Sequence, residues 1–215
     1  MRAFVFDMDG LMFDTERVFV EAWDYAGEKL GVGKAGFMVM KTLGVNTEGC
    51  RRIWRETFGD YDDEALWRYT KEYLDAYYSK YTVSVKPGLY DLLTYLRRKG
   101  YKLAVASSTN RAKVEKHLTS AHVREYFDAV IAGDMVERSK PDPDIYLRAC
   151  AALGVPPEAC YALEDSRNGL LSAHRAGCTP IMVPDLWQPD DEVLSFVTGP
   201  FDDLLAVRDW LISRQ

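Results

Sequence analysis

Two carboxylates one residue apart, Asp7 and Asp9, close the apolar run Phe4-Val5-Phe6, with Gly10 behind them. Later runs of strand character end in Ser107 and in the acid pair Glu164-Asp165, and Lys140 stands in "RSKPDPDIY" just ahead of Pro141. If these strand ends meet, Asp7, Asp9, Glu164 and Asp165 crowd one small space. Two unit charges about 4 Å apart repel by roughly 4 kcal/mol at an effective dielectric near 20. Several such pairs would strain a domain whose whole stability is about 10 kcal/mol, so a cation must sit among the acids. Carboxylate oxygens without His or Cys nearby favour Mg²⁺ over zinc or copper. Lys140 offers a second positive group, its backbone pushed toward an extended conformation by Pro141. A carboxylate, a second acid, a hydroxyl, a lysine and Mg²⁺ together suit phosphoryl transfer. One carboxylate attacks phosphorus, the cations neutralise the phosphate oxygens, and the second acid handles the leaving-group proton. That second acid needs a pKa above the usual value of about 3.9, and burial and neighbouring negative charge both act in that direction.

The elements that must position these groups have two textures. From about residue 83 onward strands and helices alternate: a helix with Leu89, Leu92, Leu93 and Leu96 on one face, opened by Pro87-Gly88 and ended by Gly100, then the strand "YKLAVASS". A short helix over about 110–118, the strand "DAVIAG", a helix over about 144–153, the strand "CYALED", a helix over about 168–176, the strand "PIMVP" and a last helix over about 201–212 follow. This alternation predicts a doubly wound, Rossmann-like α/β core with a parallel sheet covered on both faces. In such a sheet all carboxyl ends share one edge, where ligands bind. Between residues 15 and 82 the pattern is helical throughout. Phe19, Ala22, Trp23, Ala26 and Leu30 form one apolar face; Ile53, Trp54, Thr57 and Phe58, preceded by Asn46-Thr47 as caps, form a second; Leu66, Thr70, Tyr73, Leu74, Tyr77 and Tyr81 form a third. The expected division is therefore a core of residues 1–14 and 83–215 with a small helical cap domain of residues 15–82 inserted after the first strand.

Composition narrows the partners. The net charge of −6 argues against a basic surface that grips nucleic acid or anionic membrane. No run approaches the roughly 18 apolar residues of a membrane span, and the first residues lack the pattern of a secretory leader. Cys50, Cys150, Cys160 and Cys178 are scattered, without a CxxC pair, which fits reduced thiols. These features predict a cytoplasmic protein, taken here as a monomer, acting on a small phosphorylated molecule.

The stretches "FDMDGLMFDTE", "ASSTNR", "SKPDPDIY" and "LEDSRNG" resemble, in that order, the four motifs of the haloacid dehalogenase-like hydrolases. The likeness is nearest to the phosphatase and β-phosphoglucomutase subgroup, whose members carry a helical cap after the first strand, and it spans nearly the whole chain. The resemblance implies that Asp7 is the nucleophile that becomes an aspartyl phosphate, that Asp9 is the general acid/base, and that Ser107 and Lys140 bind the transferring phosphate, with Ser108 as a further phosphate-binding candidate. It places Mg²⁺ on Asp7, the backbone carbonyl of Asp9, and Asp165, with Glu164 beside them. A β-phosphoglucomutase-type mutase is the alternative. Mutases of that type place a histidine, a lysine and an arginine where this chain has Phe19, Leu43 and Thr47, which favours a phosphatase.

Other readings fit less well. A 2-haloacid dehalogenase does not need Asp9, and a receiver domain has no helical insert. Singly, the motifs have plainer readings: a turn at Asp7 and Asp9, a helix cap at Glu164-Asp165 or Ser107, a surface lysine at Lys140. "LGVGKAG" lacks the spacing of a phosphate loop and reads as a connector between helices. His117, His122 and His174 form no metal constellation, and Asp14, Asp134 and Asp185 read as loop or cap residues.

Overall fold

The computed structural model describes residues 2–214. Its core is a parallel sheet built from β1 (Ala3–Phe6), β2 (Lys102–Ser107), β3 (Ala129–Ala132), β4 (Cys160–Glu164) and β5 (Thr179–Met182), in the order β3-β2-β1-β4-β5. Four helices follow β1 as an insert: α1 (Thr15–Leu30), α2 (Met38–Thr42), α3 (Thr47–Phe58) and α4 (Asp63–Tyr78). The remainder cover the sheet or its edge: α5 (Leu89–Arg98), α6 (Arg111–Ser120), α7 (Asp144–Leu153), α8 (Arg167–Arg175), α9 (Asp191–Leu194) and α10 (Leu204–Ser213). None of these helices is long and apolar enough to cross a membrane.

Side-chain alternation along β1 divides the core. Phe4 and Phe6 face a cluster with Leu92, Leu96, Val114, Leu118 and Val207, whereas Ala3 and Val5 face one built on Ala104, Ala106, Ile145, Ala149 and Ala173. The second face is lined with small residues, which lets α7 lie close to the sheet. Cys150, Cys160 and Cys178 are buried there as free thiols, with Cys150 Sγ 3.4 Å from Cys160 Sγ and 3.7 Å from Cys178 Sγ.

The helical insert has its own apolar cluster, including Trp23, Met38, Val39, Trp54 and Leu66. α1 and α4 are tied across their length by Tyr73 donating to Glu21 at 2.6 Å and Tyr25 donating to Glu72 at 2.6 Å. Much of the tyrosine stripe of α4 is thus packing and surface bonding. The chain leaves and re-enters the core through one point. Phe13 bridges Val85, Asp14 N donates to Ser84 O, and Lys86 N donates to Met12 O, each of these two bonds 2.9 Å long.

The helix over 47–58 is capped by Asn46, whose side chain accepts from Gly49 N, and Gly100 follows α5 with a positive φ. In the connector Leu30–Gly36, Leu30 ends α1 and residues 31–36 form a loop. α2 and α9 are absent from the periodicity because five and four residues are too few to repeat a 3.6-residue pattern. α4 ends at Tyr78, short of the apolar spacing that runs to Tyr81.

Candidate active site

Register brings the chemical groups together. Phe6 lies opposite Val105 on one side and Leu163 on the other, so the residues that follow β1, Asp7 first, emerge between the ends of β2 and β4. Ser107 is the last residue of β2 and Glu164 the last of β4, followed by Asp165. All of the residues singled out from the strand ends meet at this edge.

Lys140 is at the centre of the buried part. Its side chain is 1% exposed, and Nζ donates to Asp7 Oδ1 at 2.5 Å, Glu164 Oε1 at 2.6 Å and the Ala106 carbonyl at 3.0 Å. An ammonium has three hydrogens, so its donors are fully used and its direction is fixed. Burial alone would push the Lys140 ammonium down, but the Asp7 and Glu164 carboxylates more than reverse this and hold it above its usual range. Glu164 is completely buried and receives, besides Lys140, the hydroxyl of Tyr146 at 2.5 Å and that of Ser166 at 3.1 Å. Gly169 makes room for it: a Cβ there would lie 2.0 Å from the Glu164 carboxyl carbon.

Asp9 is held by hydroxyls. Thr15 donates to Oδ1 at 2.7 Å, while Thr109 and Ser107 donate to Oδ2 at 2.8 and 3.3 Å. Ser107 is fully buried and also accepts from Thr109 N at 3.1 Å. Ser108 is turned to the insert, donating to Gly44 O at 3.1 Å, and Asn168 donates to Leu43 O at 3.0 Å. Asp185 is no plain loop residue: its side chain is 6% exposed and pairs with Lys86 and Arg17, each at 2.8 Å.

The acids exceed the cations near them. Asp7, Glu164 and Asp165 each place a carboxylate oxygen within 4.8 Å of the others, all buried. Burial pushes the Asp7 carboxyl up to about 8; Lys140 opposes this, and the Glu164 and Asp9 charges add to it. Burial, then the charges of Glu16 and Asp7, hold Asp165 well above the ordinary carboxylate range. Oδ2 of Asp165 is buried without a hydrogen-bond partner. Gly10 sits against this oxygen with φ +79°, and a Cβ there would come within 2.3 Å of it, so both conformation and space require glycine. An oxygen-only, anionic donor set with an unsatisfied buried oxygen fits a hard divalent cation such as Mg²⁺.

Above these groups lies a cavity of ≈ 160 Å³ between the sheet edge and the insert. Asp7, Asp9, Thr109 and Asp165 line its core side; Phe19, Trp23, Leu43, Thr47 and Trp67 line the other. Glu16, Thr15 and Tyr146 are the functional candidates that the motifs did not single out. The signal for Glu16 was its place directly after "FD-Thr" in the first motif, where an acid also reads as ordinary first-turn charge.

The sequence model for haloacid dehalogenase-like hydrolases matches residues 1–177, and the chain belongs to that family. The phosphorylated carbohydrates phosphatase of Thermotoga maritima is 32% identical over 178 residues, 82% of each chain. The crystal structure of CbbY from Rhodobacter sphaeroides in complex with xylulose-(1,5)bisphosphate superposes with a TM-score of 0.80 at 32% identity, over 95% of this chain and 96% of that one. β-Phosphoglucomutase from Clostridium difficile superposes with a TM-score of 0.81 over 100% of this chain and 96% of that one; at 23% identity this likeness is one of fold.

Proposed function

We propose that the chain is a Mg²⁺-dependent phosphatase of small phosphorylated metabolites, sugar phosphates in particular, working through an aspartyl phosphate on Asp7. The observation that carries this reading is the paired environment of Asp7 and Asp9. Asp7 has one oxygen taken by Lys140 and lines the cavity beside Asp9, whose carboxylate is set by three hydroxyls. In the first step an Asp7 oxygen bonds to phosphorus, the bond to the leaving oxygen breaks, and Asp9 gives that oxygen a proton. In the second, Asp9 takes a proton from water as the water oxygen bonds to phosphorus, and inorganic phosphate leaves with Asp7 restored as carboxylate. Lys140 holds Asp7 in place and, as a buried cation beneath the cavity, offsets charge on the transferring phosphate, while the Ser107 hydroxyl helps set Asp9. Asp7, Asp165 and the backbone carbonyl of Asp9 would hold Mg²⁺, which would supply the positive charge that lets phosphate and carboxylates share the site.

The insert, residues 15–82, acts as a cap over a core of residues 1–14 and 83–215, excluding water and selecting the leaving group. The likeness to a phosphorylated carbohydrates phosphatase and to a sugar-bisphosphate-bound CbbY supports sugar phosphates as the substrate class. A mutase reading is disfavoured by Phe19, Leu43 and Thr47, which line the cavity where mutases resembling this chain have cationic or imidazole side chains. Purified protein should release phosphate from members of a phosphorylated-metabolite panel with Mg²⁺ and not in excess EDTA. Full activity in EDTA, or interconversion of β-glucose 1-phosphate and glucose 6-phosphate faster than phosphate release, would refute this reading.

A further inference from the structure

The cavity has two dissimilar walls. On the insert side Phe19, Trp23, Val39, Leu43, Val45 and Trp67 present apolar and aromatic surface. Trp23 stands edge-on to Phe19 at 6.1 Å and to Trp67 at 6.5 Å between ring centroids, so the rings form one wall. The indole N–H groups of Trp23 and Trp67 are buried with no hydrogen-bond partner. On the core side Glu16, in the first turn of α1, is only 8% exposed, and its Oε2 is buried with no partner. It does not join Asp7, Glu164 and Asp165, whose oxygens lie within 4.8 Å of one another, although it packs against Gly10 as Asp165 does. Buried polar atoms are normally satisfied, and leaving one unmet is costly.

Besides the Asp165 oxygen that suits the cation, the unmet groups among the residues lining the cavity are the Glu16 carboxylate acceptor and two N–H donors set among aromatic rings. The complementary ligand has hydroxyls that both donate and accept, and C–H faces that pack on rings. A second phosphate has no such complement. Among the described residues lining the cavity, Lys113 is the one cation, and the insert wall carries no charged side chain. We infer that this cavity selects a sugar or polyol carrying a single phosphate, and that Glu16 is a specificity-determining residue that accepts a hydroxyl of the leaving group. Trp23 and Trp67 supply the packing face and the opposing donors. This inference rests on the phosphatase reading and adds to it the chemistry of the leaving group.

The test uses the full chain with glucitol 6-phosphate, phenyl phosphate, which has no hydroxyl on its leaving group, and fructose 1,6-bisphosphate. The wild type should favour glucitol 6-phosphate over the bisphosphate by about tenfold or more in kcat/KM. Glu16→Gln should lower the kcat/KM ratio of glucitol 6-phosphate to phenyl phosphate about tenfold, chiefly through KM, while Mg²⁺ still raises its Tm. Trp67→Phe, which keeps the ring and removes the N–H, should raise KM for glucitol 6-phosphate several-fold. Equal loss on both monophosphates with loss of the Mg²⁺ response would assign Glu16 to the cation and overturn the inference. A preference for the bisphosphate would overturn it too. Absence of turnover with all three esters, phenyl phosphate included, would instead remove the phosphatase reading beneath it.

Discussion

Tyr146 and Glu164 share a 2.5 Å hydrogen bond beneath the sheet edge, and the oxygen that receives it, Oε1, also receives Lys140 at 2.6 Å. Both residues are completely buried, and burial holds the Tyr146 phenol well above its usual range, so it stays a donor. Tyr146→Phe therefore removes one bond to a charged acceptor with little change in packing. Stability should fall by about 1.5–3 kcal/mol in urea unfolding, with kcat reduced more than KM is raised. An unchanged unfolding midpoint would show that Lys140 and Ser166 suffice to set Glu164.

Lys140→Met should be far more damaging, because it leaves Asp7 and Glu164 buried without their shared cation. The expected loss is about 3–5 kcal/mol near pH 8. Asp7, already raised by burial with Lys140 opposing, would lose that opposition, so the folded state binds more protons and stability falls as pH rises. The loss relative to wild type should thus be smaller at pH 5.5 than at pH 8, read as Tm at each pH. A pH-independent loss would mean that packing, not charge, is at stake.

Asp7→Asn should abolish turnover and leave the fold intact, since the amide has nearly the same shape but is not a nucleophile. Asp9→Asn should still form phosphoenzyme from esters with good leaving groups, while hydrolysis slows by about 10²–10⁴-fold. Quenched-flow trapping of phosphoprotein separates the two. Retention of more than a few per cent of activity in Asp7→Asn would exclude it as nucleophile.

The acid cluster also sets how stability responds to pH without metal. Asp7, held up to about 8, with Asp165 and Glu16 also raised, binds protons in the folded state that the unfolded chain releases near pH 4. Stability from these groups is present below that unfolded value and is lost as pH climbs toward about 8. In EDTA, Tm should fall from pH 5.5 to pH 8.5. Saturating Mg²⁺ should flatten the fall, because it binds only the folded, deprotonated cluster. Asp165→Asn should raise the EDTA Tm at pH 8.5 and remove most of the Mg²⁺ response. A flat EDTA profile would refute the coupling.

Much of this site was legible because strand order converts distant residues into neighbours. Asp7, Ser107 and Glu164-Asp165 each end an apolar run, and a parallel sheet places such ends along one edge. What stayed hidden depends on side-chain direction. Ser108 is adjacent to Ser107 in a motif, yet its hydroxyl bonds Gly44 in the insert. Tyr146 lies on the buried stripe of α7, where an aromatic residue reads as core, and only its contact with Glu164 gives the hydroxyl a role. Asp185 follows β5 in a loop, and nothing in the sequence tells that Lys86 and Arg17 converge on it.

The backbone crossing at Phe13 and Val85 bears on how such a molecule can diversify. Because the strand leading into the insert and the one leading out are zipped together, the core meets the insert as a ring of chain with fixed ends. Closing such a ring costs free energy that grows only logarithmically with its length, about 0.6 kcal/mol per doubling. In loop-closure terms, helices of the insert that do not bond to the core can therefore be lengthened or shortened at small cost to the sheet below. On the division of labour proposed above, a chain with this layout can retune selectivity in the insert while the carboxylates at the end of β1 stay fixed.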